Sequence, residues 1–134
     1  MNFYSLVVFL HVLTAILGLG PLTVLAIVST GPATASFSLD RVTQFMRLVG
    51  WSLAGMFVTG AMAIAFTRGA LGQTGWMRVS FGLFLLLGIL HGLARRRIKK
   101  TREAHLPVQG LSPLLWSMCA VVAAITYLME AKPW

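Results

Sequence analysis

Arg95-Arg96-Arg97-Ile98-Lys99-Lys100-Thr101-Arg102 holds six of the chain's eleven Lys and Arg residues within eight positions. Long apolar sequence lies on both sides of it, and so cationic a run cannot sit in hydrocarbon. Short positive connections stay on the cytoplasmic side of a bilayer, so this run sets the direction in which its neighbours cross. Outward from it lie four nearly uncharged windows, near 3–29, 43–66, 76–94 and 112–130. Each approaches or exceeds the roughly 20 residues that cover about 30 Å of hydrocarbon at about 1.5 Å per residue. The links between them are short, which makes sequential neighbours antiparallel. The expected fold is all-α: a single transmembrane domain over residues 1–134, built as an integral membrane four-helix antiparallel bundle.

Charge counting orients it. Arg41 and Arg47 join the basic run on one side, giving eight cations against Arg68, Arg78 and Lys132 on the other. Both termini therefore face outward, which in a bacterium is the periplasm, and a multi-pass protein of the inner membrane is expected. Composition agrees: 57% of the residues are hydrophobic and 10% charged, whereas soluble domains carry about a quarter charged residues. The net charge of +8 is concentrated beside apolar spans, so anionic lipid head groups rather than nucleic acid are its expected counter-charge. Cys119 is the sole cysteine, which excludes an intrachain disulfide and leaves the thiol as packing. Ala33-Thr34-Ala35 imitates a signal-peptidase site, but the preceding apolar run is too long and lacks a basic start, so cleavage is not expected.

Within the spans, periodicity assigns faces. Tyr4, His11, Ala15, Gly18 and Leu22 align on the first helix, with Thr14 at the edge, and His11 is expected to face protein. On the second, Gly50, Ala54, Ala61 and Ala65 form a small-residue contact stripe; on the fourth, Ser112, Trp116, Ala120, Ala123 and Tyr127 do. On the third, Gly88 and Gly92 flank His91. Gly20-Pro21 is expected to loosen the first helix. Trp51, Trp76, Trp116 and Trp134 read as interfacial anchors.

The chemistry is narrowed by what is missing. Asp40, Glu103 and Glu130 are the only carboxylates, and none lies at mid-membrane, as ion-coupled transport and proton pumping usually require. No phosphate cradle and no nucleophile-base set is present, so no catalytic residue is assigned. Two intramembrane histidines remain, His11 and His91. Haem b suits a single imidazole within a helical bundle, with His11 the first choice as iron ligand and Arg78 or Arg68 as propionate partner. The span midpoints place His11 and His91 about 14 Å apart in depth, whereas two imidazoles on one iron bring their nitrogens within about 4 Å. The plainer alternative is that each histidine donates to a Thr, a Tyr or a backbone carbonyl across a helix interface. The seven methionines form no tight cluster of the kind copper passage favours.

Phe9-Leu10-His11-Val12-Leu13-Thr14-Ala15-Ile16, followed by Gly18 and Gly20, resembles the first helix of the CopD/HemJ group of bacterial membrane proteins, including a branch of small uncharacterised members. Gly75-Trp76-Met77-Arg78 through Leu90-His91-Gly92, ahead of the basic run, is similar to that group's third helix. The resemblance covers about half the chain. It implies a helical bundle, a first-helix histidine that holds haem in one branch, and copper handling in the other. The haem branch carries a lysine early in its third helix where this chain has Arg78, Val79 and Ser80, and arginine, always protonated, cannot accept a proton there. The resulting expectation is a haem-associated or redox accessory membrane protein, with His11 and His91 as candidate ligands. The alternatives are a non-catalytic subunit packed against a larger membrane complex or a second copy, and a copper or small-molecule permease.

Overall fold

The computed structural model describes residues 2–31, 38–68, 70, 73–105 and 110–131. They form four helices: α1 (Phe3–Thr30), α2 (Leu39–Phe66), α3 (Gly75–Ala104) and α4 (Ser112–Ala131). All four are long and apolar enough to cross a membrane. They pack around a ring in which each helix meets its sequence neighbours and α4 returns to α1, with the α1–α2 contact the most extensive. Apolar side chains cover the outside; Ile16 and Ile89 are 62% and 61% exposed, a surface suited to lipid and not to water. The chain is thus a multi-pass membrane protein with a four-helix bundle. Ala33-Thr34-Ala35 and Trp134 lie outside the described residues.

Local signals start and stop the helices. The Asn2 side chain accepts from the Ser5 amide at α1, and Ser38 Oγ accepts from the Arg41 amide at α2, each filling an orphan donor of the first turn. Helix α3 closes on His105 in a left-handed conformation, φ 52°. It is unbroken through the basic run, where a loop was expected, and α4 begins at Ser112. Lys and Arg are good helix formers, and Ala94 and Ile98 continue the buried stripe of Leu87 and His91, so the run extends as a helix with one face packed. Asp40 in the first turn of α2 pairs with Arg102 in the last turn of α3, each complementing its helix dipole. Helix α1 likewise passes Pro21 without a break.

The faces differ in part from the periodicity reading. On α1 the stripe holds: Gly18 and Leu22 are buried, His11 and Ala15 half-buried, although Tyr4 is exposed. On α2, Ala54, Ala61 and Ala65 point outward, and the contact face is instead Met46, Val49, Ser52, Gly55 and Thr59. On α4, Trp116, Ala120, Ala123 and Tyr127 are exposed, while Leu115, Met118 and Ile125 are buried. Gly88 and Gly92 of α3 also face out. Trp76 is buried rather than lipid-facing, and Trp51 is exposed midway along α2. The closest approach is α1 on α2: a Cβ at Gly18 would lie 2.8 Å from Ser52 Cβ, and one at Gly55 would lie 2.9 Å from Thr14 Cγ2. Without a hydrophobic drive between helices in lipid, such approaches supply the dispersion contact that holds the pair.

The core is lopsided. Leu22, Leu25, Ala26, Val42, Met46, Val49, Leu87, Ala94, Ile98, Leu111, Leu115 and Met118 form one cluster, which lies toward the cationic end and reaches mid-bundle at Leu87. The far half, where Phe3 and Phe66 meet edge to face, is looser. Its α2–α3 contact is made by rings, Phe57 stacking on Phe84 at 6.3 Å. The Ser80 hydroxyl there is buried with no hydrogen-bond partner among the described residues.

Candidate functional site

His11 enters the far half from α1, opposite Gly60 of α2; a Cβ there would sit in ordinary contact, 3.5 Å from His11 Cε1. Its Nδ1 lies 2.8 Å from Thr59 Oγ1. Thr59 Oγ1 also lies 2.7 Å from the Gly55 carbonyl and 3.3 Å from the Met56 carbonyl. When the hydroxyl proton goes to the Gly55 carbonyl, Oγ1 accepts from Nδ1–H and Nε2 keeps its lone pair. Nε2 makes no hydrogen bond among the described residues. A metal-ligating histidine almost always has this arrangement, its second nitrogen donating to a fixed acceptor that sets tautomer and ring angle.

Two cavities border this imidazole. One, about 330 Å³, lies among all four helices, with Leu22, Ser52, Phe84, Leu87, Thr126 and Glu130 in its wall. The other, about 260 Å³, lies between α1, α2 and α3, lined by Val8, Phe57, Ala61, Ile64, Met77 and Phe81. His11, Met56 and Phe84 border both. Together they reach the size range of small-molecule sites, roughly 300–1,000 Å³, and like such sites they are apolar with few polar groups.

His91 is built differently. It is 9% exposed, and its Nε2 donates to the Met46 carbonyl at 2.9 Å. Gly50 makes the approach feasible, since a Cβ there would lie 3.0 Å from His91 Cε1. Its neighbours are the sealed core, and it lines neither cavity. The α2 partners of the two histidines, Thr59 and Met46, are thirteen residues apart, about 20 Å along the helix. The two imidazoles therefore do not meet on one ligand.

Around His11, Thr59 is its partner and Thr126 shares its larger cavity, while Met62 and Tyr127 line neither cavity. Arg78 is exposed and lines neither cavity, although the adjacent Met77 lines the smaller one. Near His91, Met118 is core, Cys119 half-buried and Trp116 exposed. Met56 and Phe84, which residue order alone does not group with His11, border both cavities with it. Met56 is one turn before Gly60 on α2, and that spacing from the glycine was the available signal. Among the described residues no three His, Cys, Asp or Glu side chains gather into a metal cage. The chain matches no protein-family model, no curated protein and no solved structure.

Proposed function

We propose that the protein is a haem-associated or redox accessory protein of the bacterial inner membrane, cationic end in the cytoplasm, with His11 as single axial ligand of haem b. The observation that carries this is the His11 imidazole itself, its Nδ1 held at 2.8 Å by Thr59 Oγ1 beside two apolar cavities; with Nδ1 as the donor, Nε2 is the nitrogen left for a ligand. A macrocycle brings its own four nitrogens, so it needs only one protein ligand from a chain whose described residues hold no cluster of three. Neither cavity is large enough for a macrocycle by itself, so a bound ring would have to draw on both, with its propionates kept away from Glu130 of the larger one and toward Arg78, which follows Met77 of the smaller one's wall. When bound, haem would supply one-electron chemistry. The chain's own part is to fix the imidazole, exclude water and line the site with Met56 and Phe84.

The test is an absorption spectrum of gently solubilised protein expressed with haem supply. A Soret band is expected in the wild type, lost in His11→Ala, kept in His91→Ala, and weakened about 10- to 100-fold in haem affinity by Thr59→Val, the usual effect of removing a ligand's outer partner. A colourless wild type, or a band indifferent to His11→Ala, overturns the reading. One observation favours a second: Ala54, Ala61 and Ala65 face outward, and a Cβ at Gly82, Gly88 or Gly92 would meet nothing within 4 Å. Small outward residues suit a subunit packed against a larger membrane complex, which co-purification at fixed stoichiometry would reveal.

A further inference from the structure

The cationic end carries two grooves, one on each flank of α3. The groove on the α2 side, about 490 Å³, is bordered by Thr43, Met46, Arg95 and Arg102. The groove on the α4 side, about 520 Å³, is bordered by Leu93, Arg96, Arg97, Lys100, Leu114 and the Lys99–Glu103 pair; Arg96 and that pair border the first groove as well. The six cations of the run are not equivalent. Arg102 is paired with Asp40, Arg97 donates to the Gly110 carbonyl, and Lys99 lies 3.8 Å from Glu103. Arg96 and Lys100, one turn apart on the same face, have no such partner among the described residues. Directly beneath them, on the same side of α3, Leu93 and Ile89 are 43% and 61% exposed. One face of the helix thus changes from apolar to cationic where the apolar span ends.

We infer that the α3–α4 groove is a binding site for an anionic diacyl phospholipid, its phosphate held by Arg96 and Lys100 and its acyl chains lying along Leu93 and Ile89. Charge complementarity selects the anion, and basic pockets between helices at a membrane surface are suited to such head groups. The apolar stripe running into the groove selects a lipid over free phosphate, because a soluble anion would make no use of it. The site is independent of what His11 binds.

Native mass spectrometry of protein released from nanodiscs with equal phosphatidylglycerol and phosphatidylcholine tests this. Arg96→Gln with Lys100→Gln should lower phosphatidylglycerol retention about 25-fold, near five-fold per cation. Arg41→Gln with Arg47→Gln removes the same charge from α2, outside the groove, and should lower it by no more than about two-fold, because screening confines surface charges to their own neighbourhood. All four side chains are exposed, so folding is not at issue. Equal losses in the two double variants would mean diffuse attraction to total charge and would overturn the site. So would equal retention of phosphatidylcholine, or displacement by inorganic phosphate.

Discussion

His91 and His11 are the same side chain in the same bundle, hydrogen-bonded to the same helix, and they do opposite things. His91 sits among Met46, Leu87, Ala94 and Met118, donates to a carbonyl that can only accept, and fills its space against Gly50. His11 is half-buried, ends in an unbonded nitrogen and is flanked by empty volume. A polar group in a sealed apolar core fixes the register of two helices. The same group at the edge of a cavity presents a lone pair to whatever enters. The half of the bundle around each histidine follows suit: one holds the contiguous buried cluster, the other leaves the Ser80 hydroxyl without a partner among the described residues.

The comparison is most easily broken at Gly50. Gly50→Leu drives a side chain into the His91 ring and should cost about 3 kcal/mol, from overpacking together with the lost hydrogen bond, read as a fall in midpoint on denaturant titration in micelles. If stability is unchanged, the sealed half is not sealed. His91→Ala should cost about 2 kcal/mol by leaving a void in packed surroundings, whereas His11→Ala should cost under about 1 kcal/mol, the average worth of one hydrogen bond between membrane helices. Equal costs measured in the same assay would erase the distinction between glue and site. The smallest effect belongs to Arg102→Gln. The exposed pair with Asp40 should be worth no more than about 1 kcal/mol and should fade as salt is raised, which would assign the firmness of that half to its apolar cluster and not to its surface clamps.

Much of this architecture could be read from residue order alone. Four apolar windows and one cationic run are enough for the number of spans and their alternation, and Gly18, Ala15 and His11 on one stripe turned α1 correctly. The faces of α2 and α4 were not legible, because lipid tails are as apolar as Leu: a membrane helix is hydrophobic all round, and periodicity loses its contrast. The alanines of α2 look like a contact stripe until Thr59, Gly55 and Ser52 compete for the same neighbour, and these bring both close approach and polar pairing. The helical continuation through Arg95–Arg102 was legible in principle, since Leu87, His91, Ala94 and Ile98 keep a helical spacing across the boundary. At the site, the histidine could be found but not its two cavities, because empty volume is a property of the facing helices and no residue encodes it.

The helices also differ in reach. By their rise α1, α2 and α3 are about 42, 42 and 45 Å long, but α4, at 20 residues, is about 30 Å, equal to the hydrocarbon thickness of an ordinary bilayer. The three longer helices can tilt or protrude to suit a thinner or thicker lamella. The shortest cannot lengthen, so it acts as the gauge of the assembly: in a thicker bilayer its ends would be the first drawn below the surface, and that mismatch would select the membranes in which this protein resides.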